Sequence, residues 1–322
     1  MTFQQFLCGI LILGLASCTK SKEFDKNTPA NNDTVIKVDA SKFLTSLGNV
    51  TITTETRSLS NGTSAPCFKI VTKSTPSDHA QGPWCPTNIS DDVSKGGIWL
   101  ENGNVYNVDG AFIKNLATFY NNTTWQMYDG TTGEVKRTLT KEDCQAAANP
   151  MVGAQYKNYC VECLPSYVSN LNRTIYIPIT PVKLSSPIRF GAGPGSTGPI
   201  IRGIAFNGVI FDAPAPVNAI LGAYTLAPFD HAGGHINMVG GYHYHSATGK
   251  STKISQPDGH SSMIGYALDG FGIYERLSAS GTEDTDLDAS RGHYDPIRGY
   301  HYHVDKPGAN NFINSLAGAY AL

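Results

Sequence analysis

Residues 229–245 read FDHAGGHINMVGGYHYH, and residues 287–303 read LDASRGHYDPIRGYHYH. Laid on one another at a constant offset of 58, the two stretches need no gap over 17 positions and agree at eight of them: one Asp, two Gly, two Tyr and three His. A second match lies upstream of each copy, where Gly203-Ile204-Ala205-Phe206-Asn207-Gly208 corresponds to Gly265-Tyr266-Ala267-Leu268-Asp269-Gly270. Histidine and tyrosine are uncommon residues, so duplication explains the coincidence. The duplicated units are 203–245 and 265–303, and a pair of half-domains related by a pseudo-two-fold axis is expected.

The Tyr-His-Tyr-His ending suits a β-strand. Alternate side chains on a strand share a face about 6.5–7 Å apart. His243 and His245 then point one way, and Tyr242 and Tyr244 the other. Two imidazoles on one face can converge on a metal at about 2.0–2.1 Å per nitrogen, while the tyrosines pack on the core side with their hydroxyls satisfied. The glycine turn brings back His235 as a third nitrogen and Asp230 as a ligand or an orienting carboxylate. The same reading gives His293, His301, His303 and Asp288 in the second copy. One His-x-His alone is more often ring packing, but duplication of the whole set favours metal. His79 and Asp269 are secondary candidates, and His231 and His260 stand outside the repeat. Imidazole-rich sites suit copper or zinc ahead of iron. The repeats make one paired site if they face each other and two sites otherwise.

Outward from the repeat, short β-rich runs dominate: Val35–Val38, Asn49–Thr54, Phe68–Thr72, Gly97–Leu100, Val105–Val108, Thr124–Tyr128, Glu134–Leu139 and Thr174–Ile179. Turn signals such as Asp109-Gly110 and Asp129-Gly130 separate them. Lys141–Ala148 is the best short helix, with Thr140 as N-cap and Asp143 in its first turn. The expected fold is all-β or β-dominated: a β-sandwich or irregular β body with a duplicated C-terminal half. A literal G-x-G-x-x-G at Gly193, Gly195 and Gly198 is broken by Pro194 and followed by Pro199, so it reads as a plain loop rather than a phosphate cradle. Asp284, Asp286, Asp288 and Asp295 fall at EF-hand positions, but Ala289 replaces the needed glycine; a solvated acidic loop outweighs calcium there. Gly259-His260-Ser261-Ser262 lacks the spacing of a nucleophile elbow.

The composition sets the class. The chain has 322 residues, 24 Lys+Arg against 26 Asp+Glu, and a formal charge of −2. That balance gives no footprint for nucleic acid or an anionic membrane surface. The 33 Gly and 18 Pro make it turn-rich, while 40% hydrophobic residues suffice for a core. Residues 1–17 read as a lipoprotein signal peptide: Phe6 to Ala16 is apolar and too short to span a bilayer. Leu15-Ala16-Ser17-Cys18 looks like a bacterial lipobox, with Cys18 as the acylated residue, although no Lys or Arg precedes it. Residues 18–34 read as a flexible tether reaching about 20–25 Å, leaving 35–322 as the body. The expected location is the cell envelope, with the lipid anchor as the membrane contact. Export puts Cys67, Cys85, Cys144, Cys160 and Cys163 in an oxidising compartment. The shortest closures are Cys67–Cys85 and Cys144 with Cys160 or Cys163, leaving one thiol over.

The spaced motifs resemble the YHYH domain family. They are Phe206-Asn207-Gly208-Val209, Gly234-His235 with Tyr242–His245, Ile264–Tyr274, and Leu287-Asp288 with Gly292-His293 and Tyr300–His303. Thr75-Pro76-Ser77-Asp78-His79 looks like that family's Pro-Asp-His segment, and Tyr176-Ile177-Pro178 like its strand before the glycine loop. The resemblance runs from about Pro76 to Asp305 and is strongest over 203–305. It implies an exported or envelope-anchored protein and brings no reaction with it. The leading expectation is therefore metal capture, or a structural metal in a binding module. A metal-dependent envelope hydrolase or oxidoreductase, and a metal-free glycan or peptide module, are the alternatives.

Overall fold

The computed structural model describes residues 34–148, 151–168, 171–191 and 198–322. The signal peptide, Cys18, all of the tether but Thr34, and most of the glycine–proline loop lie outside the described residues. No helix among the described residues is long and apolar enough to cross a membrane.

The body is β-dominated, as its turn-rich sequence requires. β1 (Val50–Ser58) and β2 (Ser64–Thr72) form a hairpin, as do β3 (Ile98–Glu101) and β4 (Asn104–Asn107). Two helices follow, α1 (Gly110–Phe119) and α2 (Lys141–Ala147), then β5 (Tyr159–Cys160), β6 (Arg173–Pro178) and β7 (Lys183–Arg189). β6 joins the first hairpin in a three-stranded sheet. The first repeat supplies β8 (Gly203–Ala205) and β9 (Ile210–Phe211), then α3 (Val217–Gly222), β10 (Thr225–Leu226), β11 (Gly234–Asn237) and β12 (Gly241–Tyr244). The second supplies β13 (Met263–Ala267), β14 (Gly272–Tyr274), β15 (Gly292–Asp295) and β16 (Gly299–His303); β17 (Ser315–Gly318) then pairs with β7.

The eight repeat strands make one sheet in the order β11-β12-β9-β8-β13-β14-β16-β15. That order is a palindrome of equivalent strands, so the two halves meet antiparallel at β8 and β13. The register is duplicated as well. His235 pairs with His243 and His293 with His301, and the parallel pairs Tyr244–Phe211 and Tyr302–Ile273 correspond. Each β8–β9 or β13–β14 connection ends in a left-handed glycine, Gly208 or Gly270, which the repeated Asn-Gly and Asp-Gly supply. Gly234 and Gly292 have a different purpose. A Cβ there would lie 2.4 Å from the ring of Tyr242 or Tyr300, so glycine lets each tyrosine lie across the neighbouring strand.

Several local expectations change. Val35–Val38 is not a strand, and Thr124–Tyr128 and Glu134–Leu139 make only isolated bridges. Their amides are satisfied one at a time by separate segments, as when Val135 donates to Thr87 and Lys136 to Met127. Asp109-Gly110 opens a helix rather than a turn: the Asp109 carboxylate caps α1 by accepting from the Phe112 amide at 2.7 Å, and Ile113 and Leu116 bury the inner face. Thr140 caps α2 as expected, accepting from the Asp143 amide. The disulfides are Cys85–Cys160 and Cys144–Cys163. Cys67 does not pair with Cys85. It sits in the middle of β2, buried beside Leu59 and Ala319, while Cys85 belongs to the separate core around Trp99, Leu100 and Phe229. Both bridges therefore lie in the 85–163 segment.

Candidate metal centres

The hairpins β11–β12 and β15–β16 place their histidines on one face and their tyrosines on the other. His235, His243 and His245 bring one ring nitrogen each within 4.8 Å of the others, and His260, His293, His301 and His303 do the same. The repeats thus make two separate clusters rather than one paired site.

The proton inventory of each cluster is restrictive. In the first, His243 Nδ1 donates to the Gly241 carbonyl at 2.9 Å and His245 Nδ1 to the Ala213 carbonyl at 2.6 Å. The backbone of Ala227 and Pro228 lies next to the His235 ring. A carbonyl only accepts, so in neutral His243 and His245 the proton stays on Nδ1 and Nε2 keeps a bare lone pair. Yet His235 Nε2 and His245 Nε2 are 3.2 Å apart. With the His235 proton on Nδ1, two lone pairs face each other at that distance and repel unless a cation sits between them. Nitrogens on a tetrahedral ion at about 2.05 Å are about 3.3 Å apart, which matches.

The second cluster repeats the arrangement. His301 Nδ1 donates to Gly299 at 3.0 Å, His303 Nδ1 to Glu275 at 3.0 Å, and His260 Nδ1 to Ser261 at 3.0 Å. His293 Nδ1 donates to the Asp286 carboxylate at 2.8 Å. The Nε2 separations are 3.0 Å for His293–His301, 3.2 Å for His293–His303 and 3.1 Å for His301–His260. Asp284 Oδ2 is buried 3.4 Å from His303 Nε2 and makes no hydrogen bond.

Desolvation disfavours the charged form of six of these rings. It lowers His235, His245 and His301 well below the usual histidine range, lowers His243 and His260, and takes His303 to about 3. Neutral imidazole is the form that binds metal. Phe229 packs against His235 and His245 with ring centroids 4.8 and 5.1 Å away, walling the first cluster with apolar surface.

The carboxylates expected beside the histidines are elsewhere. Asp230 accepts from the Tyr242 hydroxyl at 2.8 Å and the Gly82 amide at 3.1 Å, on the tyrosine face. Asp288 does the same with Tyr300 at 2.8 Å, and Asp269 with Tyr302 at 2.6 Å. These acids hold the tyrosines rather than the imidazoles. Period-2 alternation explains why: a group that meets Tyr242 is on the opposite side of the sheet from His243. His79 is also on that side, bound by Asp78 at 2.7 Å and stacked on Tyr244. The acidic loop does not gather around a point either, since Asp284, Asp286 and Asp288 go to His303, His293 and Tyr300 respectively. His260 and Asp284 are the site residues that sequence reasoning missed. Neither has a counterpart in the first repeat, so self-similarity could not reveal them.

Residues 174–286 match the family model described as YHYH protein, so that stretch carries a YHYH domain. The match includes β6 to β14 with His235, His243, His245 and His260, and stops short of His293, His301 and His303. Comparison with curated proteins gives no match, and comparison with solved structures gives none.

Proposed function

We propose that the YHYH domain of this chain and the repeat that completes it bind two transition-metal ions, one per histidine cluster. One observation carries the reading: at the four-histidine cluster every Nδ1 is committed to an acceptor, which turns the Nε2 atoms inward to 3.0–3.2 Å from one another. The ligands are His235, His243 and His245 at one centre and His260, His293, His301 and His303 at the other. The backbone carbonyls and Asp286 orient them, the usual partners of a metal-ligating histidine. All-imidazole donors suit zinc or copper.

The protein works outside the cytoplasm, held to the envelope by a lipid on Cys18. The apolar run and lipobox support that address. Two disulfides in the body suit the same oxidising compartment.

Elemental analysis of protein purified without an affinity tag tests the metal reading. Two equivalents are expected, with His243→Ala and His301→Ala each losing one. Wild type without stoichiometric metal, with variants that behave identically, sinks it. Cys18→Ala should move the chain out of the membrane fraction, and unchanged partitioning would refute the anchor.

A further inference from the structure

The two clusters share a plan but not their surroundings. At the second, four imidazole nitrogens converge, and the unpartnered Asp284 oxygen stands 3.4 Å from one of them. Asp295 Oδ2 adds a second carboxylate 3.9 Å from His301 Nε2 and 4.0 Å from His260 Nε2. An ion there has four nitrogens and a carboxylate within reach, which fills a tetrahedral or five-coordinate shell.

At the first, only three nitrogens converge among the described residues. The fourth direction is occupied by space. A cavity of about 300 Å³ reaches His235, His243 and His245, and its walls are largely apolar, with Trp84, Val161, Pro216 and Ile220 among them. Two carboxylates line it, Glu162 and Asp212. Glu162 is already engaged by Arg137 at 2.7 Å and the Cys85 amide at 3.3 Å. Asp212 accepts from the Ala213 amide at 2.7 Å and faces the charges of Arg173 and Arg202.

From this contrast, and resting on the two-ion reading above, we infer that the centres have different tasks. The four-histidine centre is coordinatively complete and structural. The three-histidine centre keeps one position open to the cavity, where it takes a small uncharged molecule with an apolar body and a single lone-pair donor. Closed four-ligand shells characterise structural sites, and three protein ligands with an open fourth position characterise reactive ones. The cavity is at the small end of ligand pockets, with apolar walls and few polar groups, which favours a compact apolar body. Asp212 is offset by Arg173 and Arg202, which act on the same histidines, so it is the apolar lining that favours an uncharged ligand.

The test uses the full chain loaded with cobalt(II), whose visible spectrum reports coordination, titrated with imidazole and with 4-phenylimidazole. Two bound cobalt ions are expected, with the spectrum of one responding. 4-Phenylimidazole should bind at least tenfold more tightly than imidazole, because its ring fills the apolar space. Ala219→Trp, at an exposed position on the cavity wall, should abolish the phenylimidazole response while both ions stay bound. His260→Ala should open the second centre, so that both ions respond to imidazole. Fewer than two bound ions overturns the two-ion reading itself. Two bound ions of which neither or both respond in wild type overturns only the assignment of tasks, as does equal affinity for the two probes.

Discussion

Ile204 pairs with Tyr266 at the centre of the eight-stranded sheet, and the two residues hold the same position in their respective repeats. The flanking pairs, Ala205 with Gly265 and Gly203 with Ala267, exchange under the same swap. A two-fold axis therefore passes between Ile204 and Tyr266. Each strand in one half of the sheet has a counterpart in the other, and a group without one, such as His260 or Asp284, is an addition to the shared plan.

The tyrosine face can be perturbed without touching the metal face. Tyr242→Phe removes the hydroxyl that donates to the buried Asp230, and Tyr300→Phe does the same to Asp288. Tyr242→Phe should lose about 1–3 kcal/mol, the cost of leaving a buried acceptor short of a donor, and Tyr300→Phe less, because Asp288 is exposed and water can replace the hydroxyl. Metal content should not change. Chemical denaturation beside elemental analysis separates the two effects, and loss of metal with unchanged stability would contradict the assignment of faces.

Acid should unfold the metal-free protein early. Six histidines of the two clusters, four of them buried, have folded-state pKa values below their unfolded 6.5, His303 near 3. The folded state therefore binds fewer protons than the unfolded one in this range. The stability these groups contribute is present above pH 6.5 and is lost as pH falls toward 3. Asp269 opposes this: burial raises it to about 6, so its contribution is present below its unfolded value and lost as pH rises through 6. Burial raises Asp230 as well, and two carboxylates against six imidazoles leave the net slope positive with pH. Urea midpoints for EDTA-treated protein between pH 7 and 4 should fall steadily, and a flat profile would refute the buried neutral imidazoles.

The acidic loop should act on one centre alone. Asp286→Ala frees His293 Nδ1, and Asp284→Asn removes the carboxylate next to His303. Loss of such an orienting partner typically costs 10–100-fold in metal affinity. Competition with a chromophoric chelator should show one of the two ions weakened by that factor and the other unmoved. Equal weakening of both would mean that the centres are coupled.

Cys144→Ser with Cys163→Ser opens a bridge of sequence separation 19. The cost should be about 3 kcal/mol, chiefly through the freed unfolded chain. The Cys85–Cys160 pair, of separation 75, should cost somewhat more when removed. Denaturation of the two double mutants ranks them, and the reverse order would indicate residual structure in the unfolded state.

The repeat was readable because a duplicated strand carries its own register: once His243 and His245 share a face in one copy, His301 and His303 must share one in the other. The β-dominated fold and the helix at Thr140 followed from local signals of the same kind. Asp230 and Asp288 were read as neighbours of histidine because sequence distance does not say on which side of a sheet a loop returns. Cys67–Cys85 failed for a similar reason, since shortness of loop says nothing of which core each cysteine joins. His260 was invisible because it reaches its cluster from the connection before β13, a contact that only the tertiary arrangement creates.

The outermost strands of the sheet are β11 and β15, and each carries one histidine of a cluster whose His-x-His pair is supplied by the adjacent strand, β12 or β16. An ion in either cluster would rivet the rim to the interior at both ends of the sheet. Demetallation would then loosen both margins together and expose two unpaired rows of amides and carbonyls, the surfaces through which sheets join end to end. Metal supply would thereby govern whether the protein stays a single particle as well as whether its sites are filled.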